Sequence, residues 1–348
     1  MSILKQEGVY KNREAFFEDV FGELNLKPKF KSKFRFIDLF AGIGGMRLGF
    51  QNAGGTCVFS SEFDKHAQQT YKLNHGEQPF GDITKITPEY IPDHDVLLGG
   101  FPCQAFSVAG YRKGFDDEKG RGNLFINIFE ILLAKRPKLF LLENVKNLLG
   151  HDKGRTYKTI VEYLNKAGYS VREAILNTKD HSDVPQNRER IFIVGFKESN
   201  DTDIAQGSIN FKWPQEVKNT QKFTDLLENE VEEEYYYDRF DIYPLLKEQM
   251  TNPNTAYQWR RVYVRENKNN VCPTLTANMG TGGHNVPLIL TKKGRIRKLS
   301  PIECSRIQGF PNKFSLPKMA KSHLYKQFGN SVSVPVIEKL AYKIITHL

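Results

Sequence analysis

Asp38-Leu39-Phe40-Ala41-Gly42-Ile43-Gly44-Gly45 joins an apolar run at 34–40 to a run of helical spacing at 45–53. Glycines where a strand turns into a helix let the backbone take positive φ and approach a ligand closely. Glu62 closes the next apolar run, 57–61, at the spacing where an acid accepts hydrogen bonds from ribose hydroxyls. Asp82, in Gly81-Asp82-Ile83, stands at the end of a third element and could take an adenine amino group. Two alternatives stay open on these residues alone: a dehydrogenase-type dinucleotide site and a purely structural Gly-rich turn. The loop reads A-G-I-G-G, not G-x-G-x-x-G, and so lacks the spacing for a pyrophosphate.

Outward from this loop, short apolar runs at 95–99, 139–142, 170–176 and 190–196 read as strands. Runs at 65–73, 123–135 and 156–167 read as helices, the second with Leu124, Ile128, Ile131 and Leu132 on one face. Such alternation predicts an α/β fold, a parallel or mixed sheet covered on both sides. Beyond Lys197 the rhythm fails. The stretch 252–284 reads as loops with short strands, alternation resumes near Ile289, and 333–345 is a last helix. The expected organisation is an N-terminal extension at 1–33, an α/β domain at 34–196, an irregular domain at 197–296 and a return segment at 297–348. In the extension, 13–24 has the spacing of one amphipathic helix, too little for a helix-turn-helix, and is expected to pack against the main domain. There is no internal repeat.

With 348 residues, 39% hydrophobic and 26% charged, the chain has the composition of a globular protein. Apolar stretches are too short to span a bilayer, and the N-terminus has neither signal nor transit character, so a cytoplasmic protein without membrane contact is expected. Cys57, Cys103, Cys272 and Cys304 form no C-x-x-C pair, which argues against a zinc site, any other metal centre or a disulfide framework. The net charge of +10 is unevenly placed. Residues 228–241 hold seven acids and one Arg; 260–298 hold nine Lys or Arg and one acid. A polyanion would be repelled by the first segment and drawn to the second.

Gly99-Gly100-Phe101-Pro102-Cys103-Gln104-Ala105-Phe106-Ser107 directly follows the 95–99 run. This sets a thiol beyond the C-terminal end of a strand, at the rim where α/β enzymes bind ligands. Glu143-Asn144-Val145 ends another strand, and Gln186-Asn187-Arg188-Glu189-Arg190 offers two guanidiniums on alternate residues, expected on one strand face.

The ordered set 36–45, Pro102-Cys103-Gln104, Glu143-Asn144-Val145, Gln186-x-Arg188-x-Arg190, 297–311 and Gln327-Phe328-Gly329-Asn330-Ser331-Val332 resembles the bacterial DNA cytosine-5 methyltransferases, especially the compact enzymes of restriction–modification systems. The likeness runs from about Phe34 to the end, the insert excepted. It implies a Rossmann-like class I S-adenosylmethionine-dependent methyltransferase sheet with a smaller, irregular target-recognition domain. It makes Cys103 the nucleophile toward cytosine C6, Glu143 the acid at N3 and the exocyclic amine, and Arg190 with Arg188 the partners of O2. Residues 104–122, with four glycines, become a lid over an extruded base, an ordinary surface loop being the alternative.

The family's cofactor positions fall on Phe40, Ala41, Gly42, Gly44, Glu62, Phe63, Asp82, Ile83, Pro102, Leu124, Asn330, Ser331 and Val332. The same likeness implies that the last helix packs beside the Gly-rich loop. Contacts to double-stranded DNA are expected from Gln104, Ser107, Arg260, Arg261, Thr274, Leu275 and Asn278, with Gln258 and the glycines near 280 beside them. Whether Arg260, Arg261 and Arg265 read bases or only hold phosphate stays open. A monomer is expected, with a cognate endonuclease but no stable complex with it. Two other readings use the same motifs: a tRNA cytosine-5 methyltransferase and a catalytically inactive DNA-binding regulator. The first lacks its Cys-Phe-Thr signature here. Intact Cys103, Glu143 and Arg190 weigh against the second.

Overall fold

The computed structural model describes residues 32–102, 124–198, 210–267, 269–281 and 285–348. The N-terminal helix expected at 13–24 and the segment 103–123, with Cys103, Gln104 and Ser107, lie outside the described residues.

Strand β1 (Phe34–Leu39) alternates its side chains between the two faces of the sheet: Phe34 and Phe36 enter one core, Ile37 and Leu39 the other. Strands β2 (Gly55–Ser61), β3 (Val96–Gly100) and β4 (Leu139–Val145) align parallel with it, and β5 (Tyr169–Asn177) completes one edge. Two residues pair as β6 (Gln186–Asn187), and β7 (Glu189–Lys197) then lies between β4 and β5, antiparallel to both. The order is β2-β1-β3-β4-β7-β5, a mixed sheet that reverses its direction of growth between β1 and β3. At such a switch point the carboxyl ends of neighbouring strands leave a crevice for ligand.

Helices α1 (Gly45–Asn52), α2 (Lys65–His75), α3 (Leu124–Lys135) and α4 (Arg155–Lys166) follow the sequence expectation within two residues at either end. Leu124 is only half-buried, while Phe125, Ile128, Ile131 and Leu132 of α3 pack beneath the sheet with α4. The other face is covered by α1 and the last helix, as the resemblance implies. A four-residue turn, α5 (Thr178–His181), precedes β6.

The irregular region builds its own antiparallel sheet. After α6 (Tyr243–Gln249) come β8 (Ala256–Trp259) and β9 (Val264–Glu266), and later β11 (Pro287–Leu290) and β12 (Ile296–Lys298), in the order β12-β11-β8-β9. Between them β10 (Cys272–Pro273) leaves this sheet and pairs in parallel with β6. The return begins at α7 (Pro301–Ile307), started by a capping box of Ser300 and Glu303 with Pro301 in the first turn. Next comes α8 (Lys321–Asn330), and α9 (Val334–Ile344) packs on α1. Among the described residues no helix is long and apolar enough to cross a membrane.

Buried polar links hold the irregular unit to the rest. Arg297 forks onto Glu303 (2.7 and 2.8 Å), whose oxygens also accept the Glu228 and Ser300 amides. Gln186 donates to the Ile307 carbonyl (2.7 Å) and accepts from the Leu275 amide (3.2 Å). Backbone meets backbone at Gly329, where an added Cβ would lie 2.2 Å from the Thr276 carbonyl carbon. Glycine-to-alanine inside a helix ordinarily adds up to about 1 kcal/mol of stability. Here the contact is rigid, so Gly329→Ala is expected to destabilise by about 2 kcal/mol in urea unfolding. A variant as stable as wild type or more so would show that the two backbones do not touch.

Candidate active site at the ends of the parallel strands

The parallel register sets Gly100, last in β3, beside Glu143 in β4. A Cβ on Gly100 would sit 3.7 Å from Glu143 Oε2, so the carboxyl group lies directly over the end of β3. Asn144 donates from Nδ2 to the Phe101 carbonyl (3.0 Å) and fixes the chain as it leaves the strand. Phe101 is buried, Pro102 is exposed, and the chain leads from there into Cys103.

Glu143 shares a sheet face with Leu139 and Leu141, and Arg190 shares that face with Phe192 and Val194. Arg190 Nε meets Glu143 Oε1 at 3.0 Å. Burial raises the pKa of Glu143, and the charges of Arg190 and Arg188 offset only part of that rise.

Arg188 has other partners than Arg190, although the two guanidiniums lie near enough for each to act on Glu143. Arg188 falls in the one-residue gap between β6 and β7. Its side chain is fully buried and donates to three backbone carbonyls: Leu275 (3.0 Å), Gly329 (3.2 Å) and Ser331. Burial and the charge of Arg190 lower its pKa, and Glu143 opposes them. Its Nε has no partner among the described residues.

The Gly-rich loop lies one strand away. Phe40 is held at φ 55°, a left-handed conformation that costs energy for a residue with a side chain and recurs at functional sites. Gly42 has φ 56°, and a Cβ there would meet nothing within 4 Å, so the loop opens onto space. The Gly42 amide donates to Glu62 Oε2 (2.7 Å) and the Asp64 amide to Oε1 (2.7 Å). Each carboxylate oxygen of Glu62 keeps acceptor capacity, and the neighbouring Phe63 ring is 76% exposed. A Cβ on Gly45 would lie 2.8 Å from Val332 Cγ2 and 3.0 Å from Ser331 Oγ. Absence of that Cβ lets the two ends of the chain meet at the loop.

The family described as C-5 cytosine-specific DNA methylase matches residues 34–346. The chain belongs to this family. It is 53% identical over 310 residues to the Type II methyltransferase M.Bsp6I of Bacillus sp. (strain RFL6), covering 88% of this chain and 96% of that protein. M.HhaI of Haemophilus parahaemolyticus is 40% identical over 336 residues, covering 92% and 97%. Among solved structures, the S. pombe Dnmt2 methyltransferase superposes with a TM-score of 0.69 at 20% identity, over 90% of this chain and 99% of that one. A structure titled as a putative prophage-encoded DNA modification methyltransferase of E. coli gives 0.60 at 22% identity, over 90% and 98%. These two show the fold.

A cytosine-5 methylase of this family draws its methyl group from S-adenosylmethionine. The residues at the Gly-rich loop fit that cofactor: a backbone opening onto space, an acid at the end of β2, an exposed aromatic face, and a buried carboxyl, Asp38, beneath the loop. The backbone of Arg47 lies near the Asp38 carboxyl, which makes no hydrogen bond of good geometry among the described residues. Asp82 caps the short helical turn Ile83–Lys85, spending Oδ1 on the Thr84 amide and hydroxyl. Ile83 is buried in the core beneath, Asn330 is exposed, and Ser331 and Val332 are buried.

The expected DNA contacts divide. Thr274 donates to the Asn187 carbonyl (2.6 Å), Arg260 donates to Asn285 Oδ1 (2.9 Å), and Arg261 and Asn278 are exposed. The Leu275 side chain is fully buried in the core of the irregular unit, which corrects its place among residues facing DNA. Its role runs through its backbone, whose amide and carbonyl engage Gln186 and Arg188.

Cys57, Cys272 and Cys304 are buried, as packing residues should be; burial pushes the Cys57 thiol up to about 12 and raises the other two as well. No cluster of three or more metal-ligating side chains exists among the described residues. The sequence reading missed Asn144, Asn177 and Gln308. Asn177 holds the Arg188 amide and the Asn187 side chain, and Gln308 joins Gln186 to the Phe328 carbonyl. Only Asn144 was signalled, by its place in the Glu143-Asn144-Val145 motif.

Burial pushes the Asp38 carboxyl up to about 8, with Arg47 offsetting part of the rise. Between the unfolded value near 4 and the folded value, the native state binds more protons than the unfolded chain. Stability therefore falls as pH rises through that window, by roughly 1 kcal/mol per pH unit. Asp38→Asn has no such proton, so its stability relative to wild type is expected to grow from pH 5 to pH 8 in denaturant titrations. Parallel pH profiles for the two proteins would mean that the carboxyl is ionised in the fold.

Proposed function

We propose that this methylase acts on duplex DNA as the modification enzyme of a prokaryotic restriction–modification system, adding a methyl group to C5 of a target cytosine through Cys103. The Glu143–Arg190 pair carries this reading: an acid of raised pKa, with its cation, stands over the strand end from which the chain passes to Cys103. M.Bsp6I and M.HhaI, named as Type II methyltransferases, supply the biological setting. That setting implies a cytoplasmic protein and a cognate endonuclease that acts on the same DNA without a stable complex.

Cytosine C5 is a weak nucleophile, and the stacked duplex hides it, so the base must be extruded. Cys103, as thiolate, bonds to C6, and the electron pair of the C5–C6 double bond moves toward C5 and N3. Glu143 holds a proton against N3, offsetting the charge that develops there. Arg190 orients Glu143 and offers its remaining N–H groups to O2. Arg188 is a positioning residue, since its guanidinium is spent on backbone carbonyls. S-adenosylmethionine, when bound by Phe40, Glu62, Phe63, Asp82, Ser331 and their neighbours, supplies an electrophilic methyl group to C5. Loss of the C5 proton to a base then returns an electron pair to the ring, and Cys103 leaves as thiolate.

Bisulfite sequencing of DNA from cells expressing the protein tests the activity and yields the recognition sequence together. Methylation found only in tRNA would favour the RNA enzyme over this reading. Cys103→Ala is expected to lose methylation while retaining cofactor binding by calorimetry. Duplex DNA with 5-fluorocytosine at the target is expected to give a denaturant-resistant adduct with wild type only, because fluorine cannot leave as a cation. An adduct formed by Cys103→Ala would place the nucleophile elsewhere.

A further inference from the structure

Much of the positive charge expected to face DNA is spent within the protein. Lys293 pairs with Glu230, Arg295 with Glu233 and Asp238, and Arg297 with Glu303. Lys321, in α8, is likewise taken up by Glu232 and Glu234. The acidic stretch 228–241 thus neutralises the return side of the irregular unit. Arg260, Arg261 and Arg265, on the β8–β9 hairpin, have no acidic partner among the described residues.

Arg265 pairs across the hairpin with Gln258, and the face they share turns toward the β6 corner. Between hairpin and corner lies an open cavity of about 200 Å³, lined among the described residues by Asn187, Arg260, Arg265, Asn267, Thr274 and Asn285 with a few neighbours. Its described lining holds two arginines and amide and hydroxyl groups, with no carboxylate. A second cavity of about 310 Å³ shares Asn187, Arg265 and Asn267 with it and runs outward to Lys179. That outer part also contains Glu266, and Lys179 is already paired with Asp180, which limits an anion to the inner part.

We propose that the inner cavity is a subsite for one backbone phosphate of the target strand, next to the extruded cytosine, with Arg265 as its principal cation and the Asn187 side-chain amide as a neutral donor. Asn187 is three residues from Arg190, a span of about 10 Å in extended chain, so a group held here lies within a nucleotide or two of the reacting base. Thr274 fastens to the Asn187 carbonyl, and Asn177 fastens the Asn187 side chain, so the inner wall is set by the segment that carries Arg190. A phosphate is favoured over a base edge because the unpaired cation is exposed and the described lining around it holds no carboxylate. The subsite rests on the duplex-DNA reading above and adds to it a contact that aligns the strand.

The test uses the full chain and a duplex with its recognition sequence, in which single phosphates around the target cytosine are replaced one at a time by uncharged methylphosphonates. Wild type is expected to lose affinity several-fold at one target-strand linkage within two nucleotides of the target. Arg265→Gln is expected to be insensitive at that linkage alone, to keep its sequence preference, and to show a log K against log salt slope smaller by about 1. Arg265→Lys should restore the slope. Unchanged cofactor affinity in both variants verifies that they fold. Arg265→Gln equally sensitive at every linkage, sensitivity transferred to the opposite strand, or a relaxed sequence preference with an unchanged slope would each overturn the subsite. A wild-type protein that binds no duplex would instead remove the enzyme reading on which it depends.

Discussion

One guanidinium, that of Arg188, joins three parts of the chain that are far apart in sequence. It leaves the β6–β7 break and reaches the carbonyls of Leu275 in the irregular unit and of Gly329 and Ser331 in the return segment. Removing it would strand buried carbonyl groups that have lost water as a partner, and each such group costs about 1–3 kcal/mol. The arrangement explains why an arginine stands here: a planar fork with several N–H donors can serve diverging acceptors, whereas an ammonium group is a compact point charge on a flexible stem. Everything that meets at the strand ends, including the Glu143–Arg190 pair and the Ser331–Val332 contact with the Gly-rich loop, is assembled around this fixed point.

Electrostatics divides the surface in the same way. The acidic stretch 228–241 looks hostile to DNA as sequence, yet its Glu230, Glu233 and Asp238 bind cations of the same unit. These exposed pairs contribute little stability singly. Their effect is on the field: they neutralise Lys293 and Arg295, while Arg260, Arg261 and Arg265 of the β8–β9 hairpin have no acidic partner among the described residues. The buried Arg297–Glu303 fork is a different case, with no charge facing outward and both carboxylate oxygens doubly occupied. It registers the irregular unit against α7 and is not a DNA contact.

The elements closest to the chemistry were the most legible in the sequence. The Gly-rich turn, the strands leading to it and to Gly100, and the helices at 123–135 and 333–345 announced themselves by apolar period and by glycine. Glu143 and Arg190 were found because their residue types and motif order agree with the reaction, and the structure sets them 3.0 Å apart. What escaped has a common cause. The positioning role of Arg188 was not legible because the carbonyls it serves, those of Leu275, Gly329 and Ser331, lie 87 to 143 residues away. Leu275 looked like a neighbour of DNA because of its companion Thr274, although its own side chain fills a core. Asn177 and Gln308 act through partners 11 and 122 residues away, a distance that spacing along the chain does not register.

The pairing of β6 with β10 has an evolutionary corollary. Two residues from each side, Gln186–Asn187 and Cys272–Pro273, form the seam between the segment that leads into β7 and the irregular unit. A seam made of main-chain hydrogen bonds asks little of side-chain identity on the far side. The hairpin and loops hung from it are therefore free to change their side chains while the pairing with β6 is kept.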